Sequence, residues 1–497
     1  MFAHRFVFVT RICLAASAWT AIAGGSARCG GAAARPTILW LHADDQRPDT
    51  IGALGNPAII TPALDALVRR GTAFTQAYNF GGNSAAVCTP SRNMMLSGQA
   101  YFRYSRLENA KTGETYRPEA SDAAAEANVR AKLAAGFRWN ILAPADGPNF
   151  PTAMKAAGYE TYHHGKRGNT ATNIQALFDV NKYLKNDEAE RLGGEPGREI
   201  VDAAIAYLGH RDASRPFCMY LAFGNPHDPR VAAPRYLQQY DPAKIPLPEN
   251  FSPTHPFNNG DLTIRDERLA PWPRTEAEVR RHLHEYYATI TAFDHHLGRL
   301  LNELKRLGLE DETIVVFSAD QGLAVGSHGL MGKQNLYEHS TKLPLVIAGP
   351  GVKRGRSEAL VYLFDVFPTL CDLTGATIPD GIDGRSFRDV LHGRATTHRD
   401  VIFCAYQQVQ RAVRVGSYKL IRYPQVDRTQ LFDLAADPAE TKNLAAEPGQ
   451  AERVAELTAV LRAQQLRFGD RQPLTVEDPQ PAEFDFSKVG PERRRNR

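Results

Sequence analysis

The pentapeptide Cys88-Thr89-Pro90-Ser91-Arg92 places a cysteine where a reactive or oxidised side chain could do chemistry. Cys-x-Pro-x-Arg is expected by chance in roughly one chain of this length in a hundred. Because Pro90 suits the first turn of a helix, the pattern predicts a loop-to-helix junction with Cys88 at the cap. Arg92 would lie one turn later, in a field that attracts anions. A buried structural thiol is the alternative, and the pentapeptide alone favours neither.

Two pairs of oxygen-bearing side chains form a second candidate site. Asp44 and Asp45 follow one hydrophobic run, and Asp320 and Gln321 follow another. Carboxylate and amide oxygens are the ligands that a hard divalent cation prefers, whereas zinc would normally recruit histidine or cysteine. Helix capping or turn formation is the alternative for Asp44 and Asp45. We favour a metal site, because the second pair ends a separate strand.

Positive charges and a histidine could complete this site. Lys166, Lys333 and Arg92 supply positive charge, and His227 supplies a proton donor. With a metal, such groups suit a tetrahedral oxyanion that carries charge on several oxygens. Either lysine taken singly would be a solvated surface residue in most proteins. In this arrangement, substrate anchoring is the favoured interpretation.

Four hydrophobic runs must position these residues. They cover 37–41, 158–162, 217–223 and 313–317. Continuous apolar runs are typical of strands covered on both faces, and helical patterns at 62–70, 198–207 and 277–307 lie between them. The sequence therefore predicts an α/β fold with a large, mostly parallel sheet sandwiched by helices. Ligands bind beyond the carboxyl ends of such strands, so the polar residues would meet at one edge.

Other segments predict the remaining organisation. Residues 232–275 contain many prolines and little periodicity, which predicts a long functional loop. Residues 120–135 are rich in alanine and predict a surface helix or an insertion. After about residue 380, runs at 401–404, 411–415 and 418–423 and a helical pattern at 450–468 predict a smaller antiparallel sheet with a helix.

Composition and the first residues bear on location and partners. The 497-residue chain has a net charge of +4, so neither nucleic acid nor a membrane surface is expected as a partner. Residues 1–23 predict a cleaved signal peptide whose apolar run is too short to span a bilayer. We therefore expect a secreted or periplasmic protein without a membrane span. Five cysteines would then remain, an odd number that leaves at least one unpaired, modified or reactive: Cys29, Cys88, Cys218, Cys371 and Cys404.

Together these motifs resemble the type I sulfatases, the formylglycine-dependent family within the alkaline phosphatase superfamily. The similar segments are 43–46, 88–92, 165–166, 225–230, 318–322, 326–329, 332–333, 343–345, 365–370, 431–434 and 437–438. The resemblance implies an alkaline phosphatase-like catalytic domain over 36–380 and a C-terminal subdomain over 381–470. Residues 471–497 would form a flexible tail.

The resemblance also implies roles for the candidate residues. A maturation enzyme would convert Cys88 to formylglycine, and one hydroxyl of the aldehyde hydrate would attack sulfur. Arg92 would hold the hydrate, and Lys166, His227 and Lys333 would bind the sulfate. One Ca²⁺ ion would be held by Asp44, Asp45, Asp320, Gln321 and the modified Cys88. The proton donor to the leaving oxygen stays open among Lys166, His227, Lys333 and His328.

Two departures from the family pattern affect these roles. Many relatives continue Gly-Lys with Trp-His, whereas Lys166 is followed here by Arg-Gly-Asn. The role of that histidine would be lost or would fall to Asn169 or His328. Gln321 replaces the more usual Asn or His, and its amide oxygen lies one methylene further out. Candidate substrate-binding residues are Asn169, Asp228, Arg230 and His328, with 232–275, Gln407 and Arg411 as further recognition positions.

The predicted function is hydrolysis of an organic sulfate ester with release of inorganic sulfate. The expected substrate is a sulfated sugar or glycan, or an aryl sulfate. The alternative is a phosphonate monoester or phosphodiester hydrolase with the same nucleophile. A non-catalytic binding module is disfavoured, because Cys88, Arg92 and the acidic pairs are intact.

Overall fold

The structure, a computed structural model, describes residues 35–116, 123–185 and 193–489. The strands within these ranges are β1 (Thr37–Asp44), β2 (Thr72–Phe74), β3 (Ala77–Tyr78), β4 (Gly81–Gly82), β5 (Arg106–Glu108), β6 (Thr115–Tyr116), β7 (Arg138–Asn140), β8 (Glu160–Gly165), β9 (Val180–Tyr183), β10 (Phe217–Pro226), β11 (Thr313–Ala319), β12 (Leu345–Ala348), β13 (Gly355–Ser357), β14 (Val361–Tyr362), β15 (Val401–Tyr406), β16 (Gln410–Val415), β17 (Tyr418–Tyr423) and β18 (Arg428–Asp433). The α-helices there are α1 (Pro62–Arg70), α2 (Cys88–Ser97), α3 (Ala123–Ala134), α4 (Phe150–Ala156), α5 (Thr172–Gln175), α6 (Arg198–His210), α7 (Pro234–Leu237), α8 (Glu276–Arg306), α9 (Glu338–Thr341), α10 (Val366–Thr374), α11 (Arg388–Leu391) and α12 (Ala451–Phe468).

Eight of the described strands form the main sheet, in the order β13-β2-β12-β11-β1-β10-β8-β9. Of these eight, β12 alone runs against the others. The strand β1 lies between β10 and β11, and Ile38 pairs with Cys218 on one side and Ile314 on the other. The four hydrophobic runs are therefore four adjacent parallel strands, which confirms the predicted mostly parallel sheet.

Both faces of the sheet are covered, which explains the continuous hydrophobic runs. Along β1, Ile38 and Trp40 belong to one hydrophobic cluster, whereas Leu39 and Leu41 belong to another. The first cluster includes side chains of α2, α4 and α10, and the second includes side chains of α1, α6 and α8. Because successive side chains of a strand point to opposite faces, a strand buried on both sides needs no polar alternation.

A second sheet, in the order β18-β17-β16-β15-β4, contains the C-terminal strands. The strands β15 to β18 are antiparallel and α12 packs against β16 and β17, as predicted. Gly81 and Gly82 of β4 pair in parallel with Ala405 and Tyr406. Gly81 has a φ of 88°, and a Cβ there would lie 2.0 Å from the Ala405 carbonyl oxygen. The C-terminal sheet therefore fixes the segment that leads into α2, and this contact requires glycine.

The predictions for the other strands, the helices and the domain boundary had mixed outcomes. The strands β12 and β18 were not predicted, whereas the helical patterns match α1, α6, α8 and α12 to within three residues at each end. Residues 232–275 contain α7 and short 3₁₀ turns, and the alanine-rich segment contains α3. Contacts group the described chain from Pro36 onward into one unit, and the boundary near residue 380 stays a prediction. The predicted signal peptide and Cys29 lie outside the described residues. None of the described helices is both long and apolar enough to cross a membrane.

Candidate active site

The carboxyl ends of β1 and β11 bring the two acidic pairs together. Ala43 pairs with Ala319, so Asp44 and Asp320, the residues that follow, are neighbours. Asp45 leaves β1 with a φ of 62°, and its backbone N–H donates to Asp320 Oδ1 at 3.1 Å. Carboxylate oxygens of all three residues and Cys88 Sγ lie within 4.8 Å of one another. These four residues are called the carboxylate cluster below.

Cys88 is the first residue of α2, where its side chain is buried against the acidic residues. Its Sγ lies 3.1 Å from Asp44 Oδ1 and 3.6 Å from Asp45 Oδ1. Burial and the charges of Asp320 and Asp44 raise the pKa of the Cys88 thiol well above its usual value. The side chain is therefore a protonated thiol at neutral pH, and a poor nucleophile as it stands.

Three buried cations each contact a different carboxylate of the cluster. Arg92 Nε donates to Asp320 Oδ2 at 2.8 Å, and its Nη2 donates to the Phe223 carbonyl at 3.1 Å. Lys166 Nζ donates to Asp44 Oδ2. Lys333 Nζ lies 2.5 Å from Asp45 Oδ2 and 3.2 Å from Cys88 Sγ. The structure thus brings together all three cations that the sequence singled out.

His227 follows β10 and lies against the same cluster. Its Nε2 is 3.6 Å from Asp45 Oδ2, and its Nδ1 is 2.7 Å from the Asp228 carbonyl oxygen. Because a carbonyl only accepts, Nδ1 carries the proton and Nε2 keeps a lone pair in the neutral ring. Burial and the Lys333 ammonium lower the pKa of His227 to about 4. Both carboxylate oxygens of Asp228 accept hydrogen bonds from Arg265, which lies in the 232–275 segment.

The carboxylates differ in how readily they ionise. Burial raises the pKa of Asp45 to about 6, although Lys333 opposes the shift. Burial and the charge of Asp44 also raise the pKa of Asp320. Burial acts on Asp44 in the same direction, but Lys166 and Arg92 hold the pKa of Asp44 well below its usual value. Burial thus disfavours the ionised form of Asp45 and Asp320, and a bound cation would favour that form.

The donor set fits a hard divalent cation. Three carboxylates are supplied by Asp44, Asp45 and Asp320. The Gln321 amide oxygen accepts from Asn79 Nδ2 at 2.6 Å, and its Nε2 donates to the Val87 carbonyl at 3.3 Å. These bonds fix the amide and leave its oxygen one further lone pair. Oxygen ligands dominate, and no histidine is needed to complete the set, as for Ca²⁺ or Mg²⁺.

Two predicted substrate-binding residues lie elsewhere. Asn169 is exposed, with a φ of 48°. His328 stacks on Tyr337 with ring centroids 3.9 Å apart, and its Nε2 contacts Asn250 Nδ2 at 3.0 Å. In the described part of the chain, neither residue contacts the carboxylate cluster. Their predicted roles in substrate binding stay predictions. Arg411 is buried and donates to both carboxylate oxygens of Asp470, which indicates a structural role.

Several residues near the cluster gave no signal in the sequence. The Tyr286 hydroxyl donates to the Asp45 carbonyl at 2.6 Å, although its place in the apolar stripe of α8 is typical of a core residue. Asp266 accepts from Gln334 Nε2 at 2.8 Å, beside Lys333. Asn79 orients Gln321 and accepts from the Gly81 N–H. Their roles depend on contacts between distant segments, which spacing does not reveal.

Comparison with known proteins gives the family. A family model described as "Sulfatase" matches residues 36–376, more than half of the chain. The chain belongs to the sulfatase family. A second model, "N-sulphoglucosamine sulphohydrolase, C-terminal", matches residues 326–467 of this sulfatase. An N-acetylglucosamine-6-O-sulfatase of Bacteroides thetaiotaomicron is 26% identical to it, and the match covers 88% of each chain.

Solved structures support the fold of this sulfatase. A protein in complex with its substrate D-glucosamine-2-N,6-O-disulfate is 24% identical, with a TM-score of 0.68 over 89% of this chain and 100% of the other. The phosphonate monoester hydrolase of Agrobacterium radiobacter is 22% identical, with a TM-score of 0.66 over 86% and 96%. The predicted alkaline phosphatase-like α/β fold is confirmed. The prediction of a sulfuric ester hydrolase is confirmed by the family.

Proposed function

We propose that this sulfatase cleaves the sulfate ester of a sulfated sugar, glycan or aryl sulfate, with a formylglycine made from Cys88 as nucleophile. The observation that carries the proposal is the position of Cys88 Sγ, within 4.8 Å of carboxylate oxygens of Asp44, Asp45 and Asp320. A nucleophile beside a metal site and three buried cations suits attack on an anionic tetrahedral centre. The substrate class follows the activities after which the relatives are named, among them an N-acetylglucosamine-6-O-sulfatase.

Asp44, Asp45, Asp320 and the Gln321 amide oxygen would hold one Ca²⁺ ion. When bound, the ion would stabilise negative charge on a sulfate oxygen and on an ionised hydroxyl of the nucleophile. Lys166 and Lys333 donate to Asp44 and Asp45 here. If Asp44 and Asp45 hold the ion instead, both ammonium groups would bind the oxygens of the substrate sulfate.

Modification of Cys88 supplies what the thiol lacks. The aldehyde hydrate offers two hydroxyls on one carbon. One would attack sulfur and displace the alcohol; the other would lose its proton, so that the C–O bond to sulfate breaks and the aldehyde is restored. Arg92 is suited to orient that hydrate, because its Nε is held by Asp320 at 2.8 Å. Its Nη1 is buried and has no hydrogen-bond partner within the described ranges. This guanidinium therefore has one donor available for the modified side chain.

The proton-transfer roles follow from the protonation states. Lys333 is protonated, because Asp45 raises its pKa well above the usual value although burial opposes the charge. It lies 3.2 Å from Cys88 Sγ and would donate the proton to the leaving oxygen. One ring nitrogen of neutral His227 lies within 4.8 Å of the same sulfur, and the lone pair of the ring is on Nε2. It would accept a proton from the reacting hydroxyl.

The decisive experiment combines turnover with mass analysis. The purified chain should release 4-nitrophenol from 4-nitrophenyl sulfate in the presence of Ca²⁺, and the peptide that contains residue 88 should have the mass of formylglycine. Cys88→Ala should abolish turnover. Cys371→Ala is the matched control, because Cys371 is another buried free cysteine on a helix. Full activity of the Cys88→Ala variant would contradict the proposal.

Hydrolysis of a phosphonate monoester is the second candidate, because the phosphonate monoester hydrolase of Agrobacterium radiobacter has a similar fold. The two are separated by comparing kcat/KM for 4-nitrophenyl sulfate and phenyl phenylphosphonate. We expect the sulfate ester to react faster. A larger kcat/KM for the phosphonate would make the second candidate the main activity.

We also propose export to the periplasm or the medium, with residues 1–23 removed, and modification by a formylglycine-generating enzyme. The supporting features are the arginines and apolar run of that segment. The first residue of the mature protein, read by N-terminal sequencing of extracted periplasm and medium, tests this. Recovery of the intact chain from the cytoplasm alone would contradict it.

A further inference from the structure

One arginine beside the His227 end of the site has no ion-paired carboxylate among the residues that the structure describes. Arg230 is partly buried, and its Nε is fully buried without a hydrogen-bond partner. Its Nη1 lies 3.4 Å from His282 Nδ1. In the described part of the chain, no carboxylate forms an ion pair with it. Arg92 and Arg265, by contrast, are each paired with carboxylates.

The nearby acids are already engaged. Asp228, two residues before Arg230, accepts from both Nη1 and Nη2 of Arg265. His282 Nε2 lies 2.9 Å from Arg281 Nη2, which can only donate, so Nε2 accepts and the proton of the neutral ring is on Nδ1. Glu278 in turn accepts two hydrogen bonds from Arg281. Among the described residues, no ion-paired carboxylate therefore matches the charge of Arg230; Asp228 interacts with it electrostatically but is hydrogen-bonded to Arg265.

Arg230 is also connected to the carboxylate cluster through Tyr286. Its guanidinium lies over the ring of Tyr286, 5.2 Å from the centroid. The hydroxyl of the same tyrosine donates to the Asp45 carbonyl at 2.6 Å. The ring covers one face of the guanidinium, and Nε is a donor without a hydrogen-bond partner among the described residues. A planar fork with unpaired donors is suited to bind a carboxylate or a sulfate.

We propose that Arg230 binds a second anionic group of the substrate, a sulfate or a carboxylate, beside the sulfate ester that is cleaved. The inference rests on the proposed function and narrows it to polyanionic saccharides. The sulfate ester itself would be held by Lys166 and Lys333, so Arg230 would act on affinity and selectivity. A partly buried, unpaired guanidinium is costly in the free protein, and an anionic substrate group removes that cost.

Equilibrium binding tests the proposal without turnover. The full chain with Cys88→Ala, loaded with Ca²⁺, is titrated calorimetrically with D-glucosamine-6-O-sulfate, its 2-N,6-O- and 3-O,6-O-disulfates, and a hexuronic acid–glucosamine-6-O-sulfate disaccharide. We expect one doubly charged probe to bind about tenfold more tightly than the monosulfate. The disulfates and the uronate disaccharide distinguish a sulfate from a carboxylate as the second group.

The variants assign that preference to Arg230. Adding Arg230→Gln should reduce the ratio of the two dissociation constants to about one, whereas Arg230→Lys should retain part of it. Arg268→Gln, which removes an exposed charge from the neighbouring turn, is the matched control. A purely structural role would weaken all probes equally and leave the ratio unchanged, which would overturn the proposal. So would the absence of any preference in the parent protein. Failure of the proposed function is separate, because it appears as absent turnover of 4-nitrophenyl sulfate.

Discussion

Removal of the Arg92 charge should destabilise the protein strongly, because Arg92 is the fully buried partner of a buried carboxylate. The substitution Arg92→Met keeps the length of the side chain and removes the guanidinium. Asp320 then loses the 2.8 Å ion pair with Nε, and the Phe223 carbonyl loses its 3.1 Å hydrogen bond. Neither side chain of the ion pair is exposed, so water cannot replace the lost contacts.

The magnitude follows from these contacts. Removing one partner of a buried ion pair costs about 3–5 kcal/mol. A unit of some 450 residues has an unfolding entropy of about 1 kcal/mol per kelvin, so the expected fall in Tm is about 3–5 °C. Thermal unfolding is followed by circular dichroism in EDTA, so that bound metal does not contribute. Arg167→Met, at an exposed neighbour of Lys166, is the control and should leave Tm unchanged.

A second substitution separates the unpaired charge from the lost packing. Asp320→Asn keeps the acceptor for the Asp45 N–H and removes the negative charge. The double variant Arg92→Met/Asp320→Asn should therefore recover at least half of the lost Tm. The reasoning is refuted if Arg92→Met lies within 1 °C of the parent, or if the double variant is destabilised by the sum of the two single effects.

Three further predictions concern stability and metal binding. Ca²⁺ at 100 times its dissociation constant should stabilise the parent by about 2.7 kcal/mol. Asp45→Asn should reduce this gain, whereas Asp311→Asn, at an exposed position, should not. Equal Ca²⁺-dependent Tm shifts in the parent and both variants would exclude the proposed ligands. Gly81→Ala should lower the free energy of unfolding by more than 2 kcal/mol, because its Cβ would lie 2.0 Å from the Ala405 oxygen. Denaturant unfolding should show a much smaller decrease for Gly113→Ala, since Gly113 also has a positive φ but has open space around it. Burial raises the pKa of Asp294 to about 7 although the N–H groups of Ala63 and Leu64 oppose the shift, so the folded state holds an extra proton between about pH 4 and 7. That contribution is complete below about pH 4, is lost as the pH rises through 7, and amounts to at most about 4 kcal/mol; Asp294→Asn should flatten the fall in unfolding free energy between pH 5 and 7.5, and an unchanged slope would show that another group causes it.

The main sheet was largely predictable because its strands are buried on both faces. The runs at 37–41 and 313–317 contain consecutive apolar residues, and they pair directly in the structure. The antiparallel β12 was not predicted, since a short buried strand carries no signal of its direction. β18 begins with polar residues, Arg428 to Gln430, and so lacks the pattern of its neighbours.

The residues of the candidate site were also predictable only in part. Cys88, Arg92 and the two acidic pairs were identified from residue type and from their places at strand ends and a helix start. Tyr286 and Arg265 reach the site from a core helix and a proline-rich segment, so only their contacts reveal them. His328 was a candidate because it lies near Lys333 in sequence, but it stacks on Tyr337 instead. Proximity in sequence is a weak guide where the chain turns sharply, and His328 itself has a φ of 53°.

The sequence by itself determined the family resemblance, the α/β class and the chemical identity of the site, because these depend on residue types at strand and helix ends. Tertiary structure decided which cation contacts which carboxylate and which side chains are buried. It also decided that Arg265 is ion-paired with two carboxylates, whereas Arg230 is ion-paired with none in the described part of the chain. The physical reason is that burial and charge pairing are sums over neighbours from distant segments. The 232–275 segment and α8 contact the residues that follow β10 only in the folded chain, and no local sequence pattern reveals these contacts.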